Sequence, residues 1–389
     1  MDSTWWVNPN QLDDDQKTVI SLPLNQSHLV LGPPGSGKSN LLLLRADFLQ
    51  RSGNPNSIIL VFTRQLQDFM RSGSSHYSFS ATKIRTSRAW TFELLRENDI
   101  QINISDDFEK SRIQLSRELD LLIKNKKLRN LYEYILLDEV QDYLPAEIDA
   151  FRALARNIFA VGDIKQKIYS GDDGLSYLRT YIDENNIHQL KHHYRNGLKI
   201  CYLADGIAKQ TEDYISMAST SNYNEKVAPS SVDNYECDSL DEMFNEVLSK
   251  IDLQLKAYPS EFIGILTPRK DELRRISELL RGTSFYKQGK IQMREDIAGE
   301  IDYERPIVVS TIHSAKGLEF RALHLCYLEY VKKFPKQRNT CFTGVTRAKT
   351  ALYIYHIDGL PGYFEQAYAS LKRPPSLPVV EDLFKKVEN

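Results

Sequence analysis

One glycine-rich octapeptide, Gly32-Pro33-Pro34-Gly35-Ser36-Gly37-Lys38-Ser39, narrows the possible folds more than any other stretch of this chain. It fits G-x-x-x-x-G-K-[ST], follows the short apolar run His28 to Leu31, and opens a segment containing Leu41 to Leu44. The expected local structure is therefore strand, loop, helix. Glycines let the backbone wrap phosphate oxygens, the helix start presents free N–H groups and a positive dipole, and Lys38 adds a point charge. Gly32, Gly35, Ser36, Gly37, Lys38 and Ser39 are thus expected to hold a nucleoside triphosphate, with Ser39 on Mg²⁺. The competing reading, a turn with a coincidental lysine, lacks any reason for the flanking strand and helix.

Further apolar runs at Ser57 to Phe62, Tyr134 to Leu137 and Ile158 to Val161 alternate with helical-looking segments, which predicts a parallel α/β sheet. The alternation fades after about residue 200, where the polar stretch Gln210 to Glu242 reads as loop. It resumes at Phe262 to Leu266, Ile307 to Thr311, Leu323 to Leu328 and Leu352 to Ile357, enough for a second sheet. A length of 389 residues suits two domains, and the boundary is expected near Asn186 to Arg195. Phe108 to Tyr132 interleaves Leu and Ile at helical spacing with Lys and Arg, so it reads as a small helical insertion whose charges form a solvated face. From Lys372 the tail runs into Pro374-Pro375 and cannot continue a helix; Val379 to Val387 is weakly amphipathic.

Hydrophobic residues at 41% and charged residues at 26% exclude a disordered chain. A net charge of −2 means that any nucleic acid must be gripped by a local channel rather than a basic surface. Cys201, Cys237, Cys326 and Cys341 form no C-x-x-C pair, so no disulfide framework or cysteine zinc site is expected, and His188, His192 and Cys201 lack a fourth ligand at a familiar spacing. Met1 to Asn10 shows no signal-peptide pattern and no long apolar run follows anywhere, so no membrane partner and a cytoplasmic location are expected.

Asp138-Glu139 closes the run Tyr134 to Leu137. An aspartate there reaches the water shell of the metal, and the adjacent glutamate can polarise an attacking water. With the phosphate loop upstream, the pair points to nucleotide hydrolysis rather than to surface carboxylates.

The full string Asp138-Glu139-Val140-Gln141-Asp142 resembles the D-E-x-Q-D box of UvrD/Rep/PcrA-type superfamily 1 helicases, and other motifs follow in that family's order. Gln16 looks like the glutamine that reads the adenine edge. Phe62-Thr63-Arg64 and Thr86-Ser87-Arg88-Ala89-Trp90 resemble the first two DNA-contact motifs. Val161-Gly162-Asp163-Ile164-Lys165-Gln166 is similar to the motif whose glutamine, here Gln166, senses the γ-phosphate. His193-Tyr194-Arg195 resembles the motif that stacks a tyrosine on the base and sends an arginine across the cleft. Ser310 to Phe320 is close to T-x-H-x-x-K-G-L-E-F, with Thr311 and His313 toward DNA and Glu319 toward nucleotide, and Gly344 to Ala348 resembles the motif carrying a second arginine finger, Arg347.

The resemblance implies an α/β protein of two RecA-like P-loop motor domains, each a mainly parallel sheet flanked by helices. These would span 1–190, with a small helical insert at about 96–133, and 191–389 with a short C-terminal tail. It implies a DNA helicase or single-strand DNA translocase moving 3′ to 5′, with ATP and Mg²⁺ in the cleft between the domains. Lys38, Asp138, Glu139, Gln166, Arg195 and Arg347 would be catalytic, and Ser39 and Asp138 would hold the metal. Stacking on bases would involve Trp90 and Tyr169, although each aromatic taken singly fits a core position as well. Two departures stand out: Tyr169-Ser170-Gly171-Asp172 replaces an aromatic-rich stretch with its stacking tryptophan, and Asn40 stands where the family has an arginine that sandwiches adenine. The intervals Arg96 to Glu133 and Leu280 to Glu304 are too short for accessory domains. So compact a motor is expected to work with a protein partner, such as a nuclease encoded beside it, as in some DNA-repair and anti-phage defence systems. The second reading is a DNA-activated ATPase switch that signals to a partner without moving far.

Overall fold

The computed structural model describes residues 12–372 apart from 75, 106, 168–171, 209–213, 260, 288–290, 294–304 and 332–334. Tyr169, Met1 to Asn10 and the tail after Lys372 lie outside the described residues.

Six strands form the first sheet: β1 (His28–Leu31), β2 (Ser57–Val61), β3 (Ile84–Thr86), β4 (Tyr132–Leu137), β5 (Ala155–Gly162) and β6 (Ile187–Gln189). Their order is β3-β2-β4-β5-β1-β6, and all pairs are parallel. The second sheet holds β7 (Ser231–Glu236), β8 (Ile263–Thr267), β9 (Ile291–Met293), β10 (Ile307–Thr311), β11 (Phe320–Cys326) and β12 (Ala348–His356) in the order β7-β12-β11-β8-β10-β9, again parallel throughout. Two parallel sheets flanked by helices are the α/β architecture expected of paired RecA-like units.

Parallel strands are covered on both faces, which is why β2, β8 and β10 are buried at every position. On one face of the first sheet lie α1 (Asp14–Ile20), α2 (Lys38–Arg51) and α3 (Arg64–Ser74), packing Val19, Leu41, Leu42 and Met70 against Val30, Ile59 and Val61. On the other lie α4 (Ser87–Glu97), α5 (Phe108–Lys126) and α6 (Pro145–Leu154), with Trp90, Leu115, Leu119 and Phe151 against Leu60 and Leu137. No described helix is long and apolar enough to cross a membrane.

Two expectations need correction. The polar stretch 210–242 is not all loop: Ser231–Glu236 is the edge strand β7, half-exposed along its length, and an edge needs no apolar run. The insertion's charges are not all solvated either. Arg112 is 5% exposed because it falls on the same stripe of α5 as the buried Leu115, Leu119 and Leu122, and Glu147 pairs with it.

Candidate nucleotide and nucleic-acid site

Open parallel sheets place ligand sites beyond the carboxyl ends of their strands. The phosphate loop follows β1, Asp138 and Glu139 follow β4, Asp163 follows β5, and Thr63 and Thr86 stand at the ends of β2 and β3. Backbone geometry explains the glycines: Gly35 and Gly37 have φ of +77° and +83°, and a Cβ on Gly35 would lie 2.5 Å from that of Arg195. Gly37 caps α2, so Lys38 and Ser39 begin the helix.

Lys38 Nζ donates to the carbonyls of Gly32 and Pro33 at 2.8 and 2.9 Å, which puts its charge inside the curl of the loop. Burial lowers its pKa, while Asp163, Glu139 and Asp138 pull it back up. Ser39 Oγ donates to Asp138 Oδ2 at 2.6 Å, and Glu139 N donates to Asp138 Oδ1 at 2.8 Å. Burial, reinforced by the Glu139 charge, raises Asp138 to about 7. Burial pushes Glu139 the same way, but Lys316, Lys38 and Arg347 outweigh it and hold that carboxyl below its ordinary range. Glu139 also sits at φ +51°, a left-handed conformation uncommon for a side chain of its size, as the chain turns sharply out of β4.

The pieces fit a nucleotide and a hard divalent cation. Buried Ser36 Oγ has no hydrogen-bond partner among the described residues and lies 2.6 Å from where a Cβ on Gly32 would stand. Ser39 Oγ and Asp138 Oδ2 offer adjacent oxygens of the kind Mg²⁺ takes, one or two from protein and the rest from phosphate and water. Among the described residues no cluster of three or more His, Cys, Asp or Glu side chains is placed to cage a metal. Gln16 Nε2 donates to Ser36 O at 3.0 Å, and Gln16 closes a capping box with Asp13, whose carboxylate accepts from Tyr194 Oη at 2.5 Å. Gln16 and Tyr194, the latter 41% exposed, thus flank the entrance to the loop. Asn40 turns away, accepting from Tyr77 Oη at 2.8 Å.

Three cations from beyond the last strand of the first sheet come to this place. Arg347 donates to Gln166 Oε1 and, at 3.2 Å, to Thr343 O; Gln166 Nε2 donates in turn to Asp163 Oδ2 at 3.0 Å. Arg195 pairs with Glu319 and packs on Gly35. Lys316, 1% exposed, donates to Asp142 Oδ2 at 2.5 Å and Gln166 O at 2.6 Å and lies 3.7 Å from Glu139 Oε2. Lys316 was legible as part of its motif, but its role as the hinge of this network was not.

The nucleic-acid candidates separate into two groups. Phe62, Thr63, Arg64 and Thr86 line one cavity of about 340 Å³ together with Arg112 and Ser314. Thr63 and Thr86 also accept from Leu66 N and Ala89 N at 3.2 Å, fixing the starts of α3 and α4. Trp90 does not join them. It is 3% exposed, donates from Nε1 to Tyr132 Oη at 3.0 Å and packs against Phe151, so it is a core residue rather than a stacking platform. An apolar position on the buried face of α4 leaves it no exposed ring. Thr311 is buried with its hydroxyl on Ser314 Oγ at 3.0 Å, and half-buried His313 has its pKa lowered by burial and by Lys316.

The UvrD-like helicase C-terminal domain family matches residues 306–355, and the AAA domain family matches residues 16–172. A probable DNA helicase II homolog of Rickettsia conorii is 27% identical over 34% of this chain and 23% of its own length. DNA helicase II of Rickettsia typhi is 26% identical over 29% of this chain and 19% of its own length. The chain thus matches less than a quarter of the length of either relative. A solved structure of the PRRSV helicase aligns with 88% of this chain and 54% of its own at 14% identity and a TM-score of 0.43. The two family matches lie over the phosphate loop, the Asp138-Glu139 pair and the segment that carries Lys316 and Arg347, and the later one is to a UvrD-like helicase C-terminal domain.

Proposed function

We propose that this chain is an ATP-hydrolysing DNA helicase or single-strand DNA translocase built from two motor lobes, 1–190 and 191–389. The observation that carries the reading is the convergence of Lys316, Arg347 and Arg195 on Glu139, Gln166 and the phosphate loop. Lys38 and the loop amides bind the phosphates, Ser39 and Asp138 hold Mg²⁺, and Gln16 and Tyr194 receive the base. Held there, Mg²⁺ would neutralise phosphate charge. Glu139 takes the proton of the attacking water, and Arg195 and Arg347 meet charge that develops on the γ-phosphate. Because those arginines arrive from the second lobe, hydrolysis is tied to closure, and alternating closure moves a strand held at Phe62, Thr63, Arg64 and Thr86. Movement is 3′ to 5′, a polarity that follows from the family resemblance. A protein partner, such as a nuclease in DNA repair or anti-phage defence, would supply what a motor without large inserts lacks.

Glu139→Gln should cut turnover by about a hundred- to ten-thousandfold, the worth of a general base, while ATP and DNA binding persist. Equilibrium binding of a fluorescent ATP analogue checks this; loss of binding would show that Glu139 belongs to the metal site instead.

Steady-state ATP turnover with single-stranded DNA of increasing length tests the motor reading. Turnover that climbs with length marks a walker; turnover that saturates at the shortest bound strand marks the switch. Unwinding demands more than translocation, since each base-pair step holds stacking of about 1.4 kcal/mol. The isolated chain should therefore displace only short duplexes bearing a 3′ tail. Efficient unwinding of long duplexes, or a preference for 5′ tails, would contradict this.

A further inference from the structure

Arg112 belongs to no motif, yet it is buried and engaged on several sides. Its Nε and Nη2 donate to Glu147 Oε2 at 3.0 and 2.6 Å, and Nη2 also donates to the backbone carbonyl of Asp142. Glu147 Oε2 accepts from Leu144 N at 2.7 Å as well, so one guanidinium ties the turn Val140–Asp142 to the start of α6. On its other side the guanidinium carbon lies 4.9 Å from the centroid of the Phe62 ring, and Nη1 is buried without a hydrogen-bond partner among the described residues. Arg112 and Phe62 both line the 340 Å³ cavity. From Asp142 the path continues: its carboxylate accepts from Lys316, whose ammonium lies 3.7 Å from Glu139 Oε2.

We propose that Arg112 is a positioning residue that couples occupancy of the cavity beside Phe62 by a single strand to the placement of Glu139, through Asp142 and Lys316. The inference rests on the DNA-activated ATPase reading above. Fold stability alone does not call for an arginine here, since a well-packed apolar side chain usually replaces a buried ion pair without loss. The planar fork holds two acceptors in a fixed relation, so a shift of the ring beneath it is passed on to the turn rather than absorbed by rotamer change. Asp142 and Lys316 come from different lobes, so a displacement at Arg112 also bears on how the cleft is held shut.

Arg112→Lys, Arg112→Gln and Glu147→Gln in the full chain test this with an oligothymidylate strand as probe. Three quantities are read: affinity for the strand by fluorescence anisotropy, the ratio of strand-stimulated to unstimulated ATP turnover, and Tm. The ratio should fall about fivefold or more in both Arg112 variants, the low end of coupling between sites, while strand affinity stays within about threefold. Lysine should not rescue it, because an ammonium, even where it bonds both Glu147 and the Asp142 carbonyl, lacks the rigid planar face that lies over Phe62 and the Nε donor that fixes the fork on Glu147. Glu147→Gln, which leaves Arg112 in place but weakens its clamp, should give an intermediate ratio and carries the test should Arg112→Gln fail to fold. A lowered Tm with an unchanged ratio would assign Arg112 a structural role and overturn the inference alone. A wild-type chain whose turnover ignores the strand would overturn the DNA-activated reading along with it.

Discussion

Lys38→Ala should bring ATP turnover to background in a protein that remains folded. The ammonium lies within the curl of the phosphate loop, on the Gly32 and Pro33 carbonyls, and in the field of three carboxylates, Asp138, Glu139 and Asp163. Without it, the outer phosphates would lose a counter-charge held within the loop while Asp138, Glu139 and Asp163 remain. One ion pair at about 4 Å in a partly polar protein interior is worth about 4 kcal/mol, roughly a thousandfold in an equilibrium or rate constant. The fold should survive, because Lys38 bonds only to loop carbonyls and α2 packs through Leu41, Leu42 and Leu43. Turnover by purified variant and wild type, with far-UV circular dichroism and Tm alongside, decides the matter. An active, folded variant would remove the phosphate loop from the chemistry.

How much was legible in the sequence depended on what kind of constraint each residue obeys. Strands buried on both faces announce themselves as apolar runs, and β1, β2, β4, β5, β8, β10, β11 and β12 all had such runs, within a few residues at their ends. β3, β6 and β9 are three residues long, and β7 reads Ser-Val-Asp-Asn-Tyr-Glu at a solvated edge, so no periodicity marked them. The residues proposed to hold phosphate were legible because their chemistry demands a fixed spacing along one loop. Trp90 was not, since stacking platform and core residue are the same side chain and only the facing of α4 separates them. Arg112 carried a usable signal, a charge on the Leu115, Leu119, Leu122 stripe, but its partner Glu147 is 35 residues away and spacing along the chain does not connect them.

Arg347→Ala should lower kcat by about a thousandfold or more, the scale at which arginine fingers act, and leave ATP affinity nearly unchanged. Its guanidinium reaches Gln166 from the start of β12, within the field of Glu139 and Asp163, which raise a pKa that burial lowers. A cation delivered to that point from the second lobe meets charge on the γ-phosphate oxygens chiefly when the cleft is closed and bond breaking has spread it. Ground-state binding, by contrast, would be held by Lys38 and the loop amides, which the substitution leaves intact. The structural cost is separate and smaller: Gln166 Oε1 loses a donor, worth about 1 to 3 kcal/mol for a buried acceptor. Arg347→Lys should recover little, because its single ammonium lacks the fork that now spans Gln166, Thr343 and Leu318. Arg195→Ala should act in the same direction, and because the Arg195 atoms against Gly35 are its N, Cα and Cβ, that packing is kept. Single-turnover hydrolysis at saturating ATP, beside equilibrium binding of a fluorescent analogue, separates these terms. A change confined to KM would place Arg347 in ground-state binding, and a loss of kcat that accompanies a lowered Tm and vanishes when activity is read per folded molecule would make it a residue of the fold.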